Sequence, residues 1–243
     1  METSDQHSSP LKARVALVTG GSRGIGHAVA AHLLADGWKV FLCSRSQDSV
    51  ESALSGFDER YGGSVFGRPC DVREQNQVED TVAWVLERTG RIDCLVNNAG
   101  LGVFGSVDTL SPDDWRLVLR TNLDGAFYAI HAVAPIMKQQ GEGWIINIAS
   151  LASRNPFAGG AAYNASKFGL LGLSDASMLD LRPHGIRVSA ILPGSVDTDF
   201  LPSGEDQSWK LGADDVARAV ADLLAYPGRA LPSRIELRPT RPK

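Results

Sequence analysis

RVALVTGGSRGIG, residues 14–26, is the stretch on which the fold turns. Arg14–Thr19 is a short apolar run of strand character, and it passes directly into Gly20-Gly21-Ser22-Arg23-Gly24-Ile25-Gly26, within which a helix begins. Glycines placed between a first strand and its helix let the backbone approach a diphosphate, whose charge then faces the helix N-terminus. A tight strand-to-helix turn without a ligand is the competing account.

The same alternation continues outward to the end of the chain. Short runs rich in β-branched residues predict strands near Arg14–Thr19, Lys39–Ser44, Ser64–Cys70, Ile92–Asn97, Gly143–Ala149, Arg187–Leu192 and Ser233–Leu237. Helical patterns fill the gaps, at Gly24–Asp36, Ser49–Tyr61, Glu74–Thr89, Pro112–Gln140, Ala161–His184 and Asp214–Ala225. Strands alternating with helices give βαβ units, so the fold class is α/β: a single-domain, doubly wound Rossmann fold with a seven-stranded parallel sheet. That domain takes residues 13–243, behind a polar tail at 1–12 that reads as loose. Residues 199–213 read as a loop covering the substrate. No repeat or linker divides the chain.

Composition narrows the class. With 43% hydrophobic and 21% charged residues and a formal charge of −4, the chain has no electrostatic footprint for nucleic acid. The apolar stretch Ala126–Met137 is broken by His131 and Pro135 and falls short of the roughly 20 residues a membrane span needs. The polar start lacks a secretory signal, so a cytoplasmic location is expected. Cys43, Cys70 and Cys94 lie in or beside strand-like segments, as buried thiols of a reducing compartment do. His27 and His32 are five apart on a helix and point to different faces, so no metal site is expected.

Two side-chain patterns carry chemistry. At the end of the second strand, where an NAD site places an acid on the ribose 2′-hydroxyl, this chain has Ser44-Arg45. A guanidinium there can pair with a 2′-phosphate, which favours NADP(H) over NAD(H), although a solvated arginine is the plain alternative. Tyr163 and Lys167, four apart on a helix, share one face, and a neighbouring ammonium favours the phenolate, so Tyr163 can serve as general acid or base. Ser150 closes the fifth strand, where ligands gather in an open sheet, and can hold a substrate oxygen or simply cap a turn.

The spacing Thr19-Gly20-x-x-x-Gly24-x-Gly26 resembles the loop of the short-chain dehydrogenase/reductase family. Asn97-Asn98-Ala99-Gly100, Ser150 with Tyr163-x-x-x-Lys167, and Pro193-Gly194 follow in the family's order, so the resemblance runs from about Arg14 to Thr198. It implies hydride transfer between NADP(H) and a carbonyl or alcohol, with Asn122, Ser150, Tyr163 and Lys167 as the catalytic set. Asn122 would hold a water linking Lys167 to solvent, or mark a local helix distortion. Lys167 would also hold the nicotinamide ribose. For the cofactor the resemblance implies Gly20, Ser22, Arg23, Gly24, Ile25 and Gly26 in the loop, with Arg23 as a second basic residue beside Arg45. It adds Asp71 and Val72 at the adenine, Asp71 being equally able to cap a helix. Asn98, Ala99 and Gly100 would pack on the adenine-ribose part, and Pro193, Gly194, Val196 and Thr198 would close over the nicotinamide.

Leu101, Phe104, Leu151, Asn155, Phe157 and Phe200 are candidate pocket residues, apolar enough for a ketone, an aldehyde or a 3-oxoacyl thioester, and equally suited to loop packing. The chain lacks the Asp-Gly-Gly tail of ketoacyl-carrier-protein reductases. The partner expected is therefore a small-molecule carbonyl or alcohol. Helices Pro112–Gln140 and Ala161–His184 resemble those through which such enzymes form homodimers or homotetramers. Two other classes compete: a non-catalytic NADP(H)-sensing regulator, which leaves the catalytic set unexplained, and an NAD-dependent epimerase, disfavoured by the glycine spacing.

Overall fold

Every strand of the sheet is parallel to its neighbours, in the order β3-β2-β1-β4-β5-β6-β7. The strands are β1 (Val15–Thr19), β2 (Lys39–Ser44), β3 (Val65–Pro69), β4 (Cys94–Asn97), β5 (Gly143–Ile148), β6 (Ile186–Pro193) and β7 (Arg234–Leu237). The computed structural model describes residues 13–57, 59–198 and 207–241. The expected tail at 1–12, Phe200 and most of the 199–213 loop lie outside the described residues.

Alternating side chains of the buried strands supply two cores. Ala16, Val18, Val96, Ile146 and Ile148 pack under α1 (Gly24–Ala35) and α7 (Ala213–Ala225), with α2 (Gln47–Ser55) over β2 and β3. Val15, Leu17, Leu95, Ile145 and Val188 face α3 (Gln75–Thr89) and α5 (Gly125–Gln140) on the other side. Helix α6 (Ala161–Leu181) covers β6 on that second face, with α4 (Pro112–Leu119) against it. Burying β-branched and aliphatic strands on both faces is what selects an all-parallel sheet.

The expected helix Pro112–Gln140 is divided. Ser111 caps its start, accepting from Asp114 N at 3.0 Å, with Pro112 in the first turn. The helix then loosens into a π-helical turn at Arg120–Asp124 before α5. The physical reason is Asn122: its amide is held by the backbone of Leu101, which draws one extra residue into the turn. Helix α2 starts two residues before the expected Ser49, at Gln47, behind a Ser46 cap, and stops at Gly56; a separate 3-10 turn, Glu59–Tyr61, follows. Helix α6 tightens into a 3-10 turn at Arg182–His184 and ends on Gly185, whose φ of 76° suits glycine.

Candidate functional site

Strand order reverses between β1 and β4, which leaves a crevice at their C-terminal ends. The glycine loop lines it. Gly20 and Gly24 have φ of 63° and 54°. A Cβ at Gly26 would lie 2.4 Å from the Gly20 carbonyl oxygen, so only glycine lets the helix start cross the loop this closely. Asn98 fixes the arrangement: its Nδ2 donates to Thr19 O at 3.1 Å and Gly20 O at 2.9 Å. Thr19 Oγ1 in turn accepts from the N–H groups of Asn98 and Ala99, each at 3.1 Å. The Asn98 amide is thus committed to the loop itself, and Gly100 backs onto the Asn122 amide.

Helix α1 begins here with no side-chain cap from Arg23, so its N-terminal amides are available to an anion. Ser22, Gly24 and Ile25 are half-buried along the same edge. Arg23 and Arg45 are exposed and form no ion pair among the described residues. This set fits phosphate groups, with an uncapped helix start and two exposed guanidiniums beside the glycine loop and β2. Beside Ser44, the Cys70 amide bonds the Ser44 carbonyl at 2.8 Å. Asp71 is gripped by Arg73, whose Nε lies 2.9 Å from Oδ1, and this contact, helped by the charge of Arg45, holds the carboxyl below its usual range. Asp71 does not cap α3, whose cap residue is Glu74. Val72 is buried, with its side chain and its carbonyl packed against Gly125. All three cysteines are buried free thiols, and Cys43 and Cys70 hydrogen-bond to each other.

On the far side of the crevice, Ser150 follows β5 and accepts from Ala152 N at 3.1 Å, so it is a turn cap; it also hydrogen-bonds to Tyr163. The cap and the contact to Tyr163 coexist. Tyr163 and Lys167 share the face of α6, with Nζ 5.8 Å from the phenol ring centre and donating to Ile148 O at 2.9 Å. Burial lowers the Lys167 pKa to about 8. Burial also raises the Tyr163 pKa, with the Ser150 hydrogen bond opposing it. This corrects the expectation that Lys167 pulls the phenol down, because burial is the largest influence on Tyr163 and acts the other way.

Asn122 is buried, its Oδ1 accepting from Leu101 N at 2.8 Å and its Nδ2 donating to Leu101 O and to Ser166 Oγ at 2.9 and 3.0 Å. Both amide hydrogens are used, so the side chain acts as a clamp between the 100–104 loop and α6. Ser166 passes the contact on, donating to Tyr163 O at 2.8 Å. Ser166 was not anticipated; its place just before Lys167 was the available signal.

Of the expected pocket residues, Phe104 and Phe157 meet the Tyr163 ring at centroid distances of 5.7 and 6.3 Å. Gly105 N donates to Gly159 O at 2.8 Å, which ties the two loops together and brings these rings to the phenol. Leu151 lies against Gly194. Asn155 is exposed with its amide turned back to Leu151 O, so it closes a turn. Leu101 contributes its backbone to the Asn122 clamp. Gly194 N donates to Leu237 O, Val196 pairs with Leu211, and Thr198 sits over Gly24.

The short chain dehydrogenase profile matches residues 14–208. Among curated proteins the chain is 35% identical over 228 residues to trans-4-hydroxycyclohexanecarboxylate dehydrogenase of Sinomonas cyclohexanicum, covering 90% of this chain and 87% of that one. Among solved structures it is similar to actinorhodin polyketide ketoreductase with NADPH, at a TM-score of 0.85 and 32% identity over 93% of this chain and 96% of the other. A metagenomic short-chain oxidoreductase in complex with NADP gives a TM-score of 0.83 at 36% identity, covering 96% and 100%.

Proposed function

The chain belongs to the short chain dehydrogenase family, and from that membership we propose that it is an NADP(H)-dependent oxidoreductase interconverting a carbonyl and an alcohol, with Tyr163 moving the proton. The observation that carries this reading is the Ser150–Tyr163 hydrogen bond at the C-terminal end of β5, on the helix face that also carries Lys167. When bound, NADPH supplies the hydride. Ser150 holds the carbonyl oxygen beside the Tyr163 hydroxyl, which gives its proton as charge develops there and takes one back in oxidation. Lys167, anchored on Ile148 O, supplies positive charge beneath the phenol and a donor toward the nicotinamide ribose. Arg23 and Arg45, both without an ion-pair partner among the described residues, favour a 2′-phosphate over a bare hydroxyl. The NADP(H) seen with the similar reductases supports the same choice.

Phe104 and Phe157 make an apolar wall for the carbonyl's substituents. A homodimer or homotetramer is proposed from Trp115, Phe127, Phe168 and Leu179, large apolar side chains left exposed on α4, α5 and α6. Light scattering that returns a monomer overturns that part. The activity is tested by following loss of reduced-nicotinamide absorbance with NADPH and with NADH against ketones, aldehydes and acetoacetyl thioesters, with Tyr163→Phe as control. Turnover with NADPH that vanishes in the variant is expected; equal or better turnover with NADH overturns the cofactor choice.

A further inference from the structure

At the opposite edge of the sheet from Arg45, a groove of about 780 Å³ opens between the first turns of α7 and the segment after β7. Lys210, Arg218, Arg238 and Arg241 line it, against the two carboxylates of Asp215 and Asp222, with Trp209 beside them. That positive excess stands out on a chain of formal charge −4. Arg238 is paired with Glu236 at 2.8 Å, whereas Lys210, Arg218 and Arg241 form no ion pair among the described residues. Asp215 is partly used as well, accepting from Gly212 N at 2.8 Å.

The groove shares a wall with the candidate active site. Leu211 exchanges backbone hydrogen bonds with Ser195 and Asp197, and Leu237 O accepts from Gly194 N. A Cβ at Gly194 would lie 3.0 Å from Pro239, which lines the groove, and 3.2 Å from Leu151, which adjoins Ser150. The groove thus reaches Leu151, the neighbour of Ser150, through Pro239 and Gly194, at the strand ends where open α/β sheets bind ligands. The cations lie on α7 and in the segments before it and after β7, whereas the glycine loop follows β1 and leads into α1.

We propose that this groove is an anion subsite: it takes a phosphate or carboxylate group at the far end of the substrate whose carbonyl is reduced beside Tyr163. The inference rests on the reductase reading for the substrate's other end. Paired guanidiniums suit a multidentate oxyanion, and Trp209 offers a flat apolar face to the portion linking the two ends.

The test uses the full chain saturated with NADPH and the double variant Arg218→Gln/Arg241→Gln. One substrate pair is an acetoacetyl thioester of coenzyme A and the same acyl group on N-acetylcysteamine; the other is a keto acid and its methyl ester. We expect the variant to lower kcat/KM about tenfold for the anionic member through KM, with the neutral member unchanged, as loss of charge-assisted hydrogen bonds predicts. An effect confined to the first pair assigns a phosphate, and one confined to the second a carboxylate. Equal effects on both members, or none, overturn the subsite. Calorimetric titration with inorganic pyrophosphate and with succinate decides the case even if nothing is reduced. Binding of either probe, lost in the variant, supports the groove; no binding of either to the unaltered chain overturns it while leaving the reductase reading untouched.

Discussion

Replacing Asn122 by alanine removes the clamp that sets the 100–104 loop against α6. Asn122 is 1% exposed and makes three hydrogen bonds, two to the backbone of Leu101 and one to Ser166. The variant leaves the Leu101 N–H and C=O and the Ser166 hydroxyl short of partners. Each unsatisfied buried group costs about 1–3 kcal/mol, and Leu101 is half-buried, so water recovers part of that cost. Alanine returns about 0.5 kcal/mol of helix propensity. The net loss is about 2–3 kcal/mol, which for a chain of this size lowers Tm by about 5–10 °C. Thermal unfolding measures the total, and amide exchange at Leu101 locates it, since that N–H should lose its protection first. Asn122→Ala combined with Ser166→Ala should cost less than the sum of the two, because both remove the same contact. A Tm lowered by less than about 2 °C, with the Leu101 amide still protected, would refute the clamp and return Asn122 to a distortion without consequence.

Three further outcomes follow from the site. Tyr163→Phe should cut kcat by about 10²–10⁴-fold, the usual worth of a positioned general acid, while NADPH binding by fluorescence titration stays within a few-fold; a variant that keeps its kcat removes the phenol from the mechanism. Arg45→Asp should shift the NADPH-to-NADH ratio of kcat/KM by about tenfold or more toward NADH, as a charge-assisted contact is exchanged for repulsion; an unchanged ratio means that Arg45 is only solvated. For Lys167, the folded chain releases its proton near pH 8 and the unfolded chain near 10.5. The unfolded state therefore binds more protons between those values, so the burial penalty is fully present below pH 8 and fades as pH rises toward 10.5. Its size is about 3 kcal/mol. Relative to Lys167→Met, the unaltered chain should gain about that much stability between pH 7 and pH 10 in denaturant unfolding; a difference independent of pH sinks the assignment.

The elements visible in the sequence are those whose cause is local. β1, β4, β5 and β6 are nearly continuous apolar runs buried on both faces, and a run of that kind has few other uses. The glycine loop was legible because Gly20 and Gly24 need positive φ and Gly26 needs close backbone approach, which only one residue type satisfies. The break in the helix 112–140 was not legible as structure. Asn122 is poorly suited to a helix interior, but the partner that makes it useful is Leu101, twenty-one positions earlier, and helical periodicity carries no record of such a contact. The Gly105–Gly159 bond escaped notice for the same reason: it joins two loops whose pattern is merely polar and glycine-rich, yet it places Phe104 and Phe157 on Tyr163. The π turn and the loop bridge are tertiary facts, and only packing reveals them.

The electrostatics of Tyr163 and Lys167 show the limit of reading chemistry from spacing. Four positions on a helix do bring the two side chains to one face, and a sequence argument stops at the attraction between an ammonium and a phenolate. Burial adds a term that spacing cannot contain, and it acts on both groups in the direction of neutrality: up for the phenol and down to about 8 for the lysine. Near neutral pH this leaves the phenol protonated, with the amine still largely charged beneath it. A protonated phenol is the state that the proposed reduction of a carbonyl would consume. Oxidation of an alcohol needs the phenolate, which burial disfavours and the Ser150 hydrogen bond partly restores. The same desolvation that corrects the spacing argument thus fixes the resting state of Tyr163 at neutral pH as the protonated phenol.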